Sequence, residues 1–107
     1  MVVLGNKYKV LLTKLEKTII LNLKGRISKI LNVPSKLKKE EKDKLEFVFH
    51  AIDKLLLSKD ENEKDSFQRL LQEVASSLEK STKRYIKEHI VPLMNKISTN
   101  EWGRIDE

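Results

Sequence analysis

Apolar residues recur at Tyr8, Leu11, Leu12, Leu15, Ile19, Leu23, Ile27 and Ile30 in steps of mostly three or four, the repeat that lines one face of a helix. Asn6 can cap the start by accepting from a first-turn amide. Asn32, ahead of Val33 and Pro34, marks an end, because proline disfavours helical backbone at the residue before it. The pattern predicts a first helix over about Asn6 to Leu31. Gly25 weakens its interior by about 1 kcal/mol relative to alanine, so a kink or break there is the main threat to its continuity. Ile20, Leu21 and Leu31 fall outside the main stripe. The apolar surface is thus wider than one neighbouring helix covers, and this helix should be central or shared with a partner.

After a turn at Pro34 and Ser35, the stretch KLKKEEKDK places Glu40 and Glu41 where a first helical turn favours acids. A second helix is expected to begin close to Lys38 and to bury Leu45, Val48, Phe49, Ile52, Leu55 and Leu56, with Phe47 and Leu57 off the stripe. The polar run from Ser58 to Asp65 forms the next connection. A third helix has two candidate caps, Ser58 with Glu61 three residues on, and Asp65 with Gln68. Its face reads Phe67, Leu70, Leu71, Val74, Leu78 and Tyr85, interrupted at Ser81 and Thr82. Ile86, Ile90, Leu93, Met94 and Ile97 then continue on a face rotated by roughly 100 to 120°. Pro92 has no amide hydrogen to donate to the preceding turn, so a kink or a break is expected within Lys87 to Pro92.

These patterns predict an all-α fold: an antiparallel three-helix bundle whose last helix is kinked or divided, the divided form giving four helices. Residues 1–100 are expected to make one helical domain and residues 101–107 a C-terminal tail, since 107 residues suffice for one core. No window approaches the roughly 18 to 20 consecutive apolar residues that span a bilayer, and the Met1 to Leu4 run is shorter than a signal-peptide core. Cytoplasm is therefore the default expectation.

Charge changes the picture more than composition does. The formal net charge is +6, and the segment from Met1 to Asn32, with seven bases against the single acid Glu16, carries the whole excess. On a helix, Lys7, Lys14, Lys17 and Lys24 fall together opposite the apolar stripe as a basic ridge roughly 25 Å long. A second cluster, Lys80, Lys83, Arg84 and Lys87, surrounds Tyr85. Such residues can neutralise phosphates or an acidic partner provided the two clusters share one face.

Candidate chemistry is sparse. No cysteine is present, so thiolate nucleophiles and cysteine-based zinc sites are excluded. His50 and His89 lie on different predicted helices without metal-ligand spacing, and Glu46, His50 and Asp53 would make only a weak, open ligand set. Gly5, Gly25 and Gly103 are isolated and cannot form a phosphate-cradling loop. Carboxylate pairs such as Glu40 with Glu41 sit in charge-rich stretches with nothing to separate their pKa values. No catalytic, cofactor or metal site is expected, and the protein is not expected to be an enzyme.

Surplus apolar surface is the remaining feature. Leu21, Phe47 and Leu57, the rotated set Ile90, Leu93, Met94 and Ile97, and Trp102 in the tail exceed what one small core obviously hides. A protein partner or a homo-oligomer is expected to cover them, with nucleic acid as the alternative partner through the basic ridge. Arg26, Ile27, Lys29 and Ile30, followed by the Lys38 to Leu45 helix start, resemble the helical core of GINS replication subunits over about half the chain, without the small β domain of that family. That resemblance implies no activity and points only toward nucleic-acid machinery.

Overall fold

The computed structural model describes residues 12–33 and 37–99. Among these residues four α-helices follow in order: α1 (Lys14–Asn32), α2 (Lys39–Leu57), α3 (Glu61–Leu78) and α4 (Val91–Ile97), the last entered through a π-helical turn, Ile86–Ile90. The fold is all-α, with no strand among the described residues, and the divided form of the last helix is the one adopted.

Helix α1 starts at Thr13, not at Asn6. Thr13 is extended, its hydroxyl accepts from the Glu16 amide at 3.0 Å, and the Glu16 carboxylate accepts from the Thr13 amide at 2.9 Å. This reciprocal capping box satisfies two donors that a helix start otherwise leaves unpaired. Asn6, Tyr8 and Leu11 lie outside the described residues. Gly25 produces no break, and α1 runs through it to Asn32. Helix α2 begins where expected, after Lys38, whose amide donates to Glu41 Oε1 at 3.1 Å. Neither expected cap starts α3. Asp60 does, accepting from the Asn62 amide at 2.9 Å, while the Ser58 hydroxyl accepts from the Asp60 amide.

The break toward the last helix comes earlier than Pro92 suggested. Helix α3 ends at Leu78, and the buried Ser81 turns the chain, its hydroxyl accepting from the Lys83 amide at 3.0 Å. Tyr85 therefore belongs to the last helix and not to α3. Helical backbone resumes at residue 84 and widens over Ile86–Ile90, where the Val91 amide donates to the Ile86 carbonyl. A π turn holds one residue more than an α turn, and one residue advances a helix by about 100°. The rotated apolar stripe and the missing amide of Pro92 are accommodated by that single insertion.

Side-chain links fix the topology. Lys44 near the start of α2 reaches Ser77 near the end of α3, and Lys54 lies near Glu63 at the other end, so α2 and α3 are antiparallel. Gln68 of α3 donates to the carbonyls of Ile97 and Thr99, which makes α3 and α4 antiparallel too. Lys64 of α3 donates to Glu16 of α1 at 2.9 Å, joining two helix starts that point the same way. Helix α1 packs on α2 and on the last helix, and α3 packs on those same two. The result is a ring in the order α1, α2, α3, α4, with α1 and α3 on one diagonal.

The core draws on every element. Ile20, Leu23 and Ile27 of α1 meet Leu45 and Ile52 of α2, Leu71 and Leu78 of α3, and Ile86, Ile90, Met94 and Ile97 of the last helix, all essentially inaccessible to solvent. Ile20, expected off the stripe, is in the core because α1 has packed neighbours on two sides. Ile90, Leu93, Met94 and Ile97 were expected as surplus surface. They are buried within the chain itself, since a ring of four helices offers inner faces that a three-helix bundle lacks. No helix among the described residues is long and apolar enough to cross a membrane.

Candidate interaction surfaces

Three of the expected interface residues remain outside. Leu57 is 85% exposed, Phe47 61% and Leu21 49%. Trp102 lies outside the described residues. Phe47 stands at the edge of an open groove of about 410 Å³ between α2 and α3, floored by Ala51, Leu55, Phe67 and Leu70 and rimmed by His50, Lys54, Glu63 and Ser66. Ala51 lines the groove where neighbouring positions of α2 carry large side chains, with the half-buried Leu70 and the largely buried Phe67 of α3 across from it. Phe67 and Leu70 were expected on the inner face of α3 and lie there, but the groove that Ala51 lines was not read from the sequence. An alanine inside an otherwise bulky apolar stripe was the available signal.

A second hollow, of about 450 Å³, lies at the opposite end of the same helix pair and is polar. Lys44 donates to Glu40 at 2.7 Å and also to the Ser77 hydroxyl, so this hollow largely satisfies its own charges. The hydrogen bond from Lys44, helped by the charges of Lys44 and Lys38 and opposed by slight burial, holds the Glu40 carboxyl below its ordinary value. Lys80 lines this hollow and so leaves the cluster in which the sequence placed it.

Two bases of α1 reach the last helix. Arg26 donates to the His89 carbonyl at 2.7 Å, within the turn where Pro92 withholds an amide. Lys29 sits 5.7 Å from the centroid of the Tyr85 ring, and the His89 ring packs against Tyr85 with the ring centroids 5.0 Å apart. Neither Arg26 nor Lys29 was among the basic contact residues expected from the sequence. Lys83, Arg84 and Lys87 occupy the turns carrying Tyr85, Arg84 being paired with Glu88 at 2.7 Å.

The expected ridge on α1 is not uniform. Lys14 and Lys17 are exposed, but Lys24 is turned toward α2, where it pairs with Asp53 and lies 4.9 Å above the Phe49 ring. Lys7 lies outside the described residues. By element, α1 carries five bases against one acid, net +4, and residues 83–97 carry four bases against Glu88, net +3. Helix α2 carries net −1 and α3 net −2. Folding thus converts a charge excess near one end of the sequence into a basic side, α1 with the last helix, opposite an acidic side, α2 with α3.

No metal-type cluster forms. Asp53 is engaged with Lys24, so Glu46, His50 and Asp53 do not assemble, and no group of three His, Cys, Asp or Glu side chains converges among the described residues. His50 packs edge-on against Phe49 at 5.7 Å. No family model, no curated protein and no solved structure matches the chain.

Proposed function

We propose that this chain is a non-catalytic helical interaction domain that receives the apolar anchor of a partner protein's helix in the α2–α3 groove. One observation carries the reading: Phe47 is exposed beside a groove floored by Leu55, Phe67 and Leu70. Covering a phenylalanine fully is worth about 1.5–3 kcal/mol, and aromatic residues at the centre of a docking patch contribute a large share of binding energy. Charge selects the occupant. The two helices that form the groove are net acidic, which favours an amphipathic helix with a large apolar residue flanked by lysine or arginine.

The test uses the full chain and two synthetic amphipathic helices that share an apolar face, one carrying lysines and the other glutamates. Methyl NMR signals of Leu55 and Leu70 should shift with the lysine peptide and less with the glutamate peptide. Phe47→Asp should weaken that binding about tenfold while leaving the melting transition in place. Binding that ignores Phe47→Asp, or shifts confined to other surfaces, refutes the groove as the docking site. Light scattering that reveals a dimer abolished by Phe47→Asp assigns the groove to a second copy and overturns the choice of partner.

A further inference from the structure

We infer that the side of the bundle formed by α1 and the last helix is a second, independent surface that binds the phosphate backbone of nucleic acid. The first support is the near absence of acids. Across α1 and residues 83–97 the acids are Glu16 and Glu88. Glu16 is buried and held by Lys64, while Glu88 is held by Arg84. Six lysines on these elements, Lys14, Lys17, Lys29, Lys83, Lys87 and Lys96, make no ion pair among the described residues. On α2 and α3, Lys44, Lys54 and Lys64 are paired with carboxylates, and the other bases of those helices sit among an excess of acids, whereas on α1 only Lys24 is paired among the described residues. Uncompensated charge is thus concentrated on one side.

The second support is rigidity. Arg26 ties α1 to the π turn through the His89 carbonyl, and Lys29 rests over Tyr85, so the two basic elements are held at fixed separation along a helix about 28 Å long. A preorganised row of cations suits a polymer with a charge every few ångströms, where binding is driven by counterion release. A lipid surface fits less well. The two most exposed large apolar residues, Phe47 and Leu57, are on α2, and α1 exposes only Leu21 and the terminal Val33 among its large apolar side chains, a sparse set beside the aromatic and aliphatic face that inserts into a membrane interface.

The experiment measures fluorescence anisotropy of a labelled short DNA duplex and a labelled oligothymidylate with the full chain over a series of salt concentrations. The double variant Lys29→Glu with Lys87→Glu should lose about tenfold or more in affinity at low salt and flatten the salt slope by about 2. Lys29→Gln with Lys87→Gln, a milder change, should show the same slope change with a smaller loss. Lys39→Glu with Lys42→Glu, which alters exposed lysines of α2, should have a clearly smaller effect. Absence of binding to both probes, or equal losses from the α2 control, overturns the inference. So does binding confined to vesicles containing phosphatidylserine. Phe47→Asp is expected to leave nucleic-acid affinity unchanged, which keeps this result separate from the fate of the groove.

Discussion

Glu16 ties together the starts of two helices, and its removal should be costly. Its carboxylate makes two links at once: Oε1 accepts from the Thr13 amide at 2.9 Å, closing the capping box, and Oε2 accepts from Lys64 Nζ at 2.9 Å, tying the start of α1 to the start of α3. The side chain is only 8% exposed, so water replaces neither link freely. Removing a capping interaction costs roughly 0.5–2 kcal/mol, and a hydrogen bond to a charged group contributes about 1.5–3 kcal/mol. Glu16→Ala should therefore destabilise the fold by about 2–4 kcal/mol. Glu16→Gln keeps an acceptor for Thr13 but loses the ion pair, and should cost about half as much. Urea unfolding followed by circular dichroism reads both, since the midpoint falls by roughly 1 M for each 1–3 kcal/mol lost. A double-mutant cycle with Lys64→Met should give a coupling of about 1 kcal/mol. Equal stabilities for the Ala and Gln variants, together with no coupling to Lys64, would refute the two-link account.

Two further outcomes follow from local geometry. A methyl group added at Gly25 would meet no atom within 4 Å, and the residue is exposed mid-helix, so Gly25→Ala should raise stability by about 0.5–1 kcal/mol in the same urea assay; a loss would show that α1 needs the freedom of glycine there. The Glu40 carboxyl titrates below its ordinary value because Lys44 holds it, so its contribution is fully present at neutral pH and is lost as the pH falls through that lowered value. Lys44→Met should move the Glu40 midpoint up toward the ordinary carboxylate range in an NMR titration, and an unmoved midpoint would remove Lys44 as the cause.

Most of the helical content was legible because apolar spacing reports which face is buried, whatever it is buried against. Leu45, Val48, Ile52 and Leu55 are core residues for the reason the period gives. Boundaries were legible only where a cap stood alone. The Thr13 to Glu16 box is visible in the sequence, but Tyr8, Leu11 and Leu12 carried the apolar period across it, and pattern outweighed the local stop. Ser81 and Thr82 interrupted the stripe visibly, yet Pro92 drew the expected break toward itself; a π turn lets a proline follow helical backbone without ending it. Phe47 and Leu57 were recognised as outward because they lie off the period. The groove beside Phe47 was hidden because it depends on Ala51 being small opposite a second helix. The tie from Arg26 to His89 was equally unreadable, since it requires a long-range pairing with a main-chain acceptor.

Among the described helices the two signs of charge are divided across the bundle, so these residues together have an electric moment with a component perpendicular to the helices. Any strongly anionic object would swing the bundle broadside before contact. In that posture the Phe47 cleft faces away, toward open solution, and a body resting on its lysines keeps the opposite flank clear for a second guest.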